Sequence, residues 1–250
     1  MKIAICIIML LAGCILMTFA QLISSYFCKR ESNSSCKKIS GCDECGEHIK
    51  GVHLIPIAGY IISKGRCGKC NGRLTNISVA CQILAGICFV LTYLKTGICL
   101  ELFIYCLLTL VLIIITYVDF KTYIIPPELN YFIFALGIFV VVTDIDNWLL
   151  HIIGFFAMSV PVYLLILATN GKAMGGGDCK LVATAGLVIG WKLIILGFFL
   201  GCIFGSVIHI IRIKVSNEDH RLALGPYLAL GIFISMLYGN DMINWYLSLM

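Results

Sequence analysis

The chain has 250 residues, of which 60% are hydrophobic and 12% are charged, with a formal net charge of +5 and a mean hydropathy of +1.01. A soluble domain carries roughly 25% charged residues, so this composition excludes an ordinary soluble enzyme or binding domain. The apolar residues form several blocks, most of them near the ~20 residues that cross a bilayer as a helix, without the alternation of a transmembrane barrel. The sequence therefore predicts an all-α fold, a polytopic transmembrane helical bundle.

The apolar blocks predict seven or eight spans. In chain order they are 3–25, 77–94, 102–118, 129–143, 148–169, 181–191, 193–211 and 222–239. The sixth is short, so it is either a re-entrant segment or part of one helix with the seventh, joined at Trp191-Lys192. The first ends near T-F-A-Q at 18–21, which loosely resembles a signal-peptide cleavage site. Its apolar run is longer than is usual in a signal peptide, which favours an uncleaved first helix.

Lysine and arginine residues predict how the chain is oriented in the membrane. Nine of the eighteen lie in the longest polar stretch, 28–76, and with eight spans fifteen of them fall on one side. The side rich in Lys and Arg is the cytoplasm, so both termini are expected outside. The predicted location is the inner (cytoplasmic) cell membrane, with lipid as the surroundings. The positive-inside bias accounts for the net charge, so no nucleic-acid partner is expected.

Two C-x-x-C pairs lie in the polar stretch, C-D-E-C at 42–45 and C-G-K-C at 67–70. Two such pairs can supply four thiolates to one tetrahedral zinc ion, and a small segment without an apolar core is stabilised by a structural metal. A reducing cytoplasm disfavours the alternative, disulfide-bonded or redox-active cysteines. His48 and His53 are alternative ligands. The sequence thus predicts a small zinc-stapled cytoplasmic loop domain with the ligands Cys42, Cys45, Cys67 and Cys70.

Two aspartates stand at the ends of apolar spans on the same predicted membrane face. Asp119 follows L-V-L-I-I-I-T-Y-V at the end of the third span, and Asp178 precedes the sixth. Two neighbouring carboxylates do not both ionise, so one can take a proton from water while the other polarises a peptide carbonyl. This chemistry is aspartic peptide hydrolysis. For Asp178 alone, a helix N-cap is an equal alternative.

Asp178 is preceded by three glycines, Gly175, Gly176 and Gly177. Without a Cβ they allow a backbone to approach closely, which suits a substrate strand or a partner helix. Lys180, two residues after the aspartate, either attracts an acidic group or belongs to the positive-inside pattern.

These residues together resemble the bacterial type IV prepilin peptidases, which are GxGD-type intramembrane aspartyl proteases. The GxGD pattern matches 175–178, and the family's first aspartate, which precedes an Ile-Pro pair, matches Asp119 ahead of Ile125-Pro126. The four-cysteine loop matches the C-x-x-C pairs, and L-G-P-Y-L-A-L-G at 224–231 is similar to a further block of the family. The resemblance runs from about residue 42 to residue 231.

The resemblance implies an aspartic endopeptidase that cleaves the leader of type IV prepilins or pseudopilins after a Gly at the cytoplasmic face. Asp119 and Asp178 would be catalytic, with the three glycines and Lys180 beside the substrate. S-adenosylmethionine would serve an N-methyltransferase activity on the new N-terminus, and the partners would include type IV pilus or type II secretion and competence machinery. The predicted domains are the first transmembrane helix (1–27), the four-cysteine module (28–76) and the transmembrane protease domain (77–250).

The chain departs from the family pattern at two places. Gln82 stands where the family has a Glu, which weakens the methyltransferase prediction, and Pro127 stands where Asp is frequent after the Ile-Pro pair. Neither change touches the two aspartates. The alternative function is a non-enzymatic transporter or assembly scaffold with a zinc module, because intramembrane acids also mark ion paths. Two acids at one face, rather than a string of polar groups across the membrane, favour the peptidase.

Overall fold

The computed structural model describes residues 2–30, 70, 77–171, 174–216 and 223–249. Their regular structure is helical, which confirms the all-α prediction for this part of the chain. The helices are α1 (Lys2–Arg30), α2 (Ile77–Thr96), α3 (Leu100–Thr122), α4 (Pro127–Thr143), α5 (Trp148–Ala168), α6 (Gly176–Ile189), α7 (Trp191–Ser216) and α8 (Gly225–Leu247). A single 3-10 turn, Ile145–Asn147, precedes α5.

Several of these helices are long and apolar enough to cross a membrane. In the described residues there are five: Lys2–Gln21, Val79–Thr96, Leu100–Phe120, Ile145–Ala168 and Trp191–Arg212. Pro127–Thr143 is apolar but shorter. The chain is therefore a multi-pass membrane protein, while the number of seven or eight spans stays a prediction.

Proline and glycine set the helix boundaries near the site. Pro126 is the N-cap of α4 and Pro127 its first residue, where a missing N–H costs nothing. Pro226 likewise lies in the first turn of α8, as a helix-start residue. Gly190, in the left-handed region with φ +81°, ends α6 and precedes Trp191. The sixth segment is thus a separate helix, broken from α7 one residue before the predicted junction.

The chain divides into two compact units, Met1–Tyr123 and Ile124–Met250. In the first unit, α1 and α2 meet at glycines: a Cβ on Gly13 would lie 2.8 Å from the Cα of Gly86. Polar groups join the same two helices, since the Cys14 thiol donates to the Gln82 carbonyl over 3.3 Å. The core of this unit is built mainly by α3, whose Leu108 and Ile115 are fully buried.

In the second unit α6 is the central helix and packs on α4, α5, α7 and α8. All of its residues from 181 to 189 are buried. Backbone meets backbone at two places: Gly154 of α5 faces Gly186, and Gly231 of α8 faces Gly197 and Gly201 of α7. Close contact of this kind is how helices associate where water supplies no hydrophobic driving force. The short helix that carries Asp178 is therefore held by neighbours along most of its length.

Candidate active site

Asp119 lies in the last turn of α3 and is 4% exposed. The helix ends just beyond it at Tyr123, which has φ 55° and donates its N–H to the Asp119 carbonyl over 2.9 Å. The carboxylate is thus near the negative end of the helix dipole, which opposes a negative charge. An acid at this place costs free energy, so its presence calls for a role beyond packing.

Asp178 is the third residue of α6 and is half-buried. The N-cap is Gly175, which offers no side-chain hydrogen bond, so the aspartate lies within the first turn of the helix. The positive end of the α6 dipole favours a negative charge there. The N-cap alternative therefore does not describe its position, although an acid in the first turn also supports the start of the helix.

Each of the three glycines before Asp178 meets different surroundings. A Cβ on Gly175 would stand 3.3 Å from the Oδ2 atom of Asp178, whereas a Cβ on Gly176 would meet nothing within 4 Å. A Cβ on Gly177 would lie 3.2 Å from the Cβ of Ile125. The first two glycines leave space beside the carboxylate, and the third allows the segment before α4 to pack against α6.

Two side chains follow Asp178 directly. Lys180 is exposed. Cys179 donates its thiol to the Ser159 carbonyl of α5 over 3.5 Å. Burial, reinforced by the charge of Asp178, raises the pKa of the Cys179 thiol, so the thiol stays protonated and is a poor nucleophile. The contact with α5 gives the cysteine next to the aspartate a packing role.

Most of the predicted zinc ligands lie outside the described residues. These ligands are Cys42, Cys45 and Cys67. The alternative ligands His48 and His53 also lie outside the described residues. Cys70 is described and is exposed in a turn. Over the ranges that the structure covers, no group of three or more His, Cys, Asp or Glu could hold a metal ion. Four thiolates remain a donor set that suits zinc, and the site stays a prediction.

Gln82, at the position where the resemblance places a Glu, is buried in α2. Its Nε2 atom donates to Oε1 of Gln21 in α1 over 3.4 Å. Its main-chain carbonyl accepts a hydrogen bond from the thiol of Cys14. The residue belongs to the contact between the first two helices. Neither glutamine supplies a carboxylate for binding a cofactor.

Asn130 of α4, in the second unit, is a polar residue of interest that the sequence patterns do not single out. It is 3% exposed, and its Oδ1 and Nδ2 atoms have no hydrogen-bond partner in the part of the chain that the structure describes. The sequence feature that could have indicated this residue is an amide side chain at the start of an apolar helix, directly after P-P-E-L at 126–129.

Two family models match the chain. The model of the type IV leader peptidase family matches residues 106–210, a range that contains both aspartates. The model of the bacterial peptidase A24 N-terminal domain matches residues 11–96, which contain the four cysteines and Gln82.

Curated proteins with the name prepilin leader peptidase/N-methyltransferase are similar over most of the chain. The protein of Bacillus subtilis (strain 168) is 28% identical over 213 residues, which cover 84% of this chain and 86% of the relative. The protein of Pseudomonas putida is 26% identical over 219 residues, which cover 81% of this chain and 73% of the relative. The protein of Legionella pneumophila is 25% identical over 216 residues, which cover 84% of this chain and 75% of the relative. No solved structure gives a significant match.

Proposed function

Because the chain belongs to the type IV leader peptidase family and is a peptidase, we propose that it cleaves the leader of type IV prepilins or pseudopilins. Asp119 and Asp178 are the catalytic carboxylates of this proposal. The observation that carries it is the position of Asp178, in the first turn of a buried central helix behind glycines that leave space beside the carboxylate. The names of the relatives supply the substrate class.

The proposed reaction is hydrolysis by general acid–base catalysis. One ionised carboxylate takes a proton from water, whose oxygen attacks the peptide carbonyl, and one protonated carboxyl donates a hydrogen bond to the carbonyl oxygen. The proton taken from water then goes to the leaving amine as the C–N bond breaks. The helix dipoles favour a negative charge on Asp178 and oppose one on Asp119. We therefore assign Asp178 as the base and Asp119 as the acid.

The proposal places this reaction at the cytoplasmic face of the inner membrane. The excess of Lys and Arg on one predicted side supports that orientation. The substrate would have a short basic leader followed by an apolar helix, with cleavage after a Gly. Type IV pilus or type II secretion and competence machinery would receive the product.

Methylation of the new N-terminus is a separate part of the proposal, supported by the names of the relatives. S-adenosylmethionine would supply the methyl group. Gln82, at the position where the resemblance places a Glu, is buried and donates to Gln21, so this residue offers the cofactor no carboxylate. The methyltransferase activity therefore rests on comparison alone.

The purified chain in detergent or lipid is expected to release a basic leader from a prepilin-like substrate, leaving a new N-terminus after the Gly. Mass spectrometry of both fragments tests the cleavage. The same measurement with and without S-adenosylmethionine tests methylation through the mass of one methyl group on the mature fragment. An intact substrate overturns the proposed peptidase specificity, whereas cleavage without methyl transfer overturns only the second activity.

Zinc is proposed to bind the four cysteines as a structural ion. We expect about one zinc per chain in the wild type and almost none in Cys45→Ser/Cys67→Ser, because each change removes one thiolate from a different pair. Metal analysis of the purified protein measures this ratio. Cys99→Ser is the matched control, since Cys99 is an exposed cysteine outside both pairs, and it should keep the full zinc content. Equal zinc content in all three proteins would contradict the assignment.

A further inference from the structure

Asn130 is a buried amide without a partner among the described residues. The other buried residues of α4 are Ile133, Leu136, Gly137 and Val140, so its face of the helix is otherwise apolar. A buried carboxamide whose donors and acceptor are unpaired costs free energy, and such groups in native proteins call for an explanation. An apolar residue would pack better here, so the amide calls for a hydrogen-bonding ligand.

The buried face of α4 packs on α6, the helix that carries Asp178. At one end a Cβ on Gly137 would lie 2.8 Å from the Cγ atom of Leu187, and at the other the segment at Ile125 lies against Gly177. These two contacts show that α4 and α6 run in the same direction. Asn130 lies seven residues before Gly137, and Asp178 lies nine residues before Leu187. At about 1.5 Å of rise per residue, Asn130 and Asp178 are therefore within roughly one helical turn of each other along the helix axes.

The first turn of α6 beside Asn130 is made of glycines. Gly175 and Gly176 are exposed, and the space beside Gly176 is open. Gly175 and Gly176 have no side chain to pack, so the backbone at these two residues can shift when a chain enters beside Asp178. The amide of Asn130 would then be within reach of that chain.

A carboxamide offers two N–H donors and one acceptor, which complement the C=O and N–H of a peptide unit. We propose that Asn130 binds the main chain of the substrate next to the scissile bond and so positions that bond at Asp178. This inference rests on the proposed function, because it names a further residue of the same site. The ligand is a peptide main chain and not a side chain, so the contact tolerates variation in the substrate sequence.

Asn130→Leu tests the proposal because it keeps the branched shape and the number of non-hydrogen atoms of the side chain and removes its hydrogen-bonding groups. We expect the thermal midpoint to stay unchanged or to rise, since an unpaired polar group is lost. The KM for a prepilin-like peptide should rise about tenfold, as for the loss of one or two hydrogen bonds to the substrate, with a smaller change in kcat. Thr109→Val is the matched control: Thr109 of α3 also has a buried hydroxyl without a described partner, and its replacement should leave KM unchanged.

Substrates in which an ester replaces one peptide bond near the cleavage point make the test specific. At one position the ester should raise KM for the wild type but not further for Asn130→Leu, because the two changes remove the same hydrogen bond. Equal ester effects on both proteins at every position would overturn the proposal. An unchanged KM in Asn130→Leu, or a loss of activity that follows a fall in thermal midpoint, would also overturn it. Cleavage by the wild type, lost in Asp178→Asn, separates these results from a failure of the proposed function.

Discussion

Asp119→Asn and Asp178→Asn are each expected to abolish cleavage of a prepilin-like substrate while the protein stays folded and inserted. Asparagine has nearly the same shape as aspartate but can neither take nor give the catalytic proton. General acid–base groups contribute roughly 10²–10⁴-fold each, so cleavage should fall by about 10³-fold or more in either variant. In the proposed mechanism both carboxylates act on one peptide bond, so the double variant should be hardly worse than either single one.

Cleavage is measured on purified protein, with the thermal midpoint of each variant recorded beside it. Asp146→Asn is the matched control, because Asp146 is an exposed acid in the 3-10 turn before α5, and it should cleave like the wild type. Asp178→Asn also removes the negative charge that the α6 dipole favours, so its thermal midpoint shows whether any loss of cleavage comes from a weakened helix start. Normal processing by either aspartate variant would contradict the assignment of that residue.

Much of the helix pattern could be predicted because apolar runs and helix breakers are local properties of the sequence. Pro127 and Pro226 begin helices in the structure, as their fixed φ and missing N–H favour. The helix α6 begins at Gly176, five residues before the predicted sixth span at 181–191. The reason is that Gly-Gly-Asp is a poor helix former by itself, and here the first turn is supported by packing, as at Ile125 against Gly177.

Some residues of the candidate site could likewise be predicted from the sequence, and others could not. Asp119 and Asp178 could be placed at helix ends from the sequence, because each adjoins a long apolar segment. The burial of Asn130 without a partner among the described residues could not be foreseen, since the sequence shows an Asn in a helix but not what that helix packs against. The contact between Gly154 and Gly186 was equally hidden, because a glycine in a span fits either an open surface or a backbone contact. Tertiary neighbours decide such positions, and a single sequence does not contain them.

Gly186→Ala is expected to destabilise the protein, because Gly186 lies in that backbone contact. The Cβ of an alanine at this position would overlap the carbonyl oxygen of Gly154 and lie 2.8 Å from its carbonyl carbon. Both are backbone atoms, so α5 and α6 must move apart. Overpacking of this kind lowers the free energy of unfolding by roughly 1–3 kcal/mol. We expect a decrease near the upper end of this range, because no flexible side chain can move aside. Unfolding in detergent with increasing denaturant measures the change.

Gly205→Ala is the matched control for Gly186→Ala. Gly205 is also a helical glycine of the second unit, but its nearest neighbour would be the Leu224 Cδ1 atom at 3.3 Å, the end of a flexible side chain. Alanine there gains up to ~1 kcal/mol of helix propensity, so this variant should be as stable as the wild type or more stable. Equal stability of the two variants would contradict the close contact of α5 and α6.

The same substitution should also affect catalysis in the molecules that remain folded. Gly186 and Asp178 share α6, so a helix displaced from α5 carries the carboxylate with it. A misplacement of about 1 Å at a reacting group can cost ~10²-fold in rate. We therefore expect the cleavage rate per folded Gly186→Ala molecule to fall well below that of Gly205→Ala. A destabilised variant with a full rate per folded molecule would mean that the α5–α6 contact stabilises the fold without positioning Asp178.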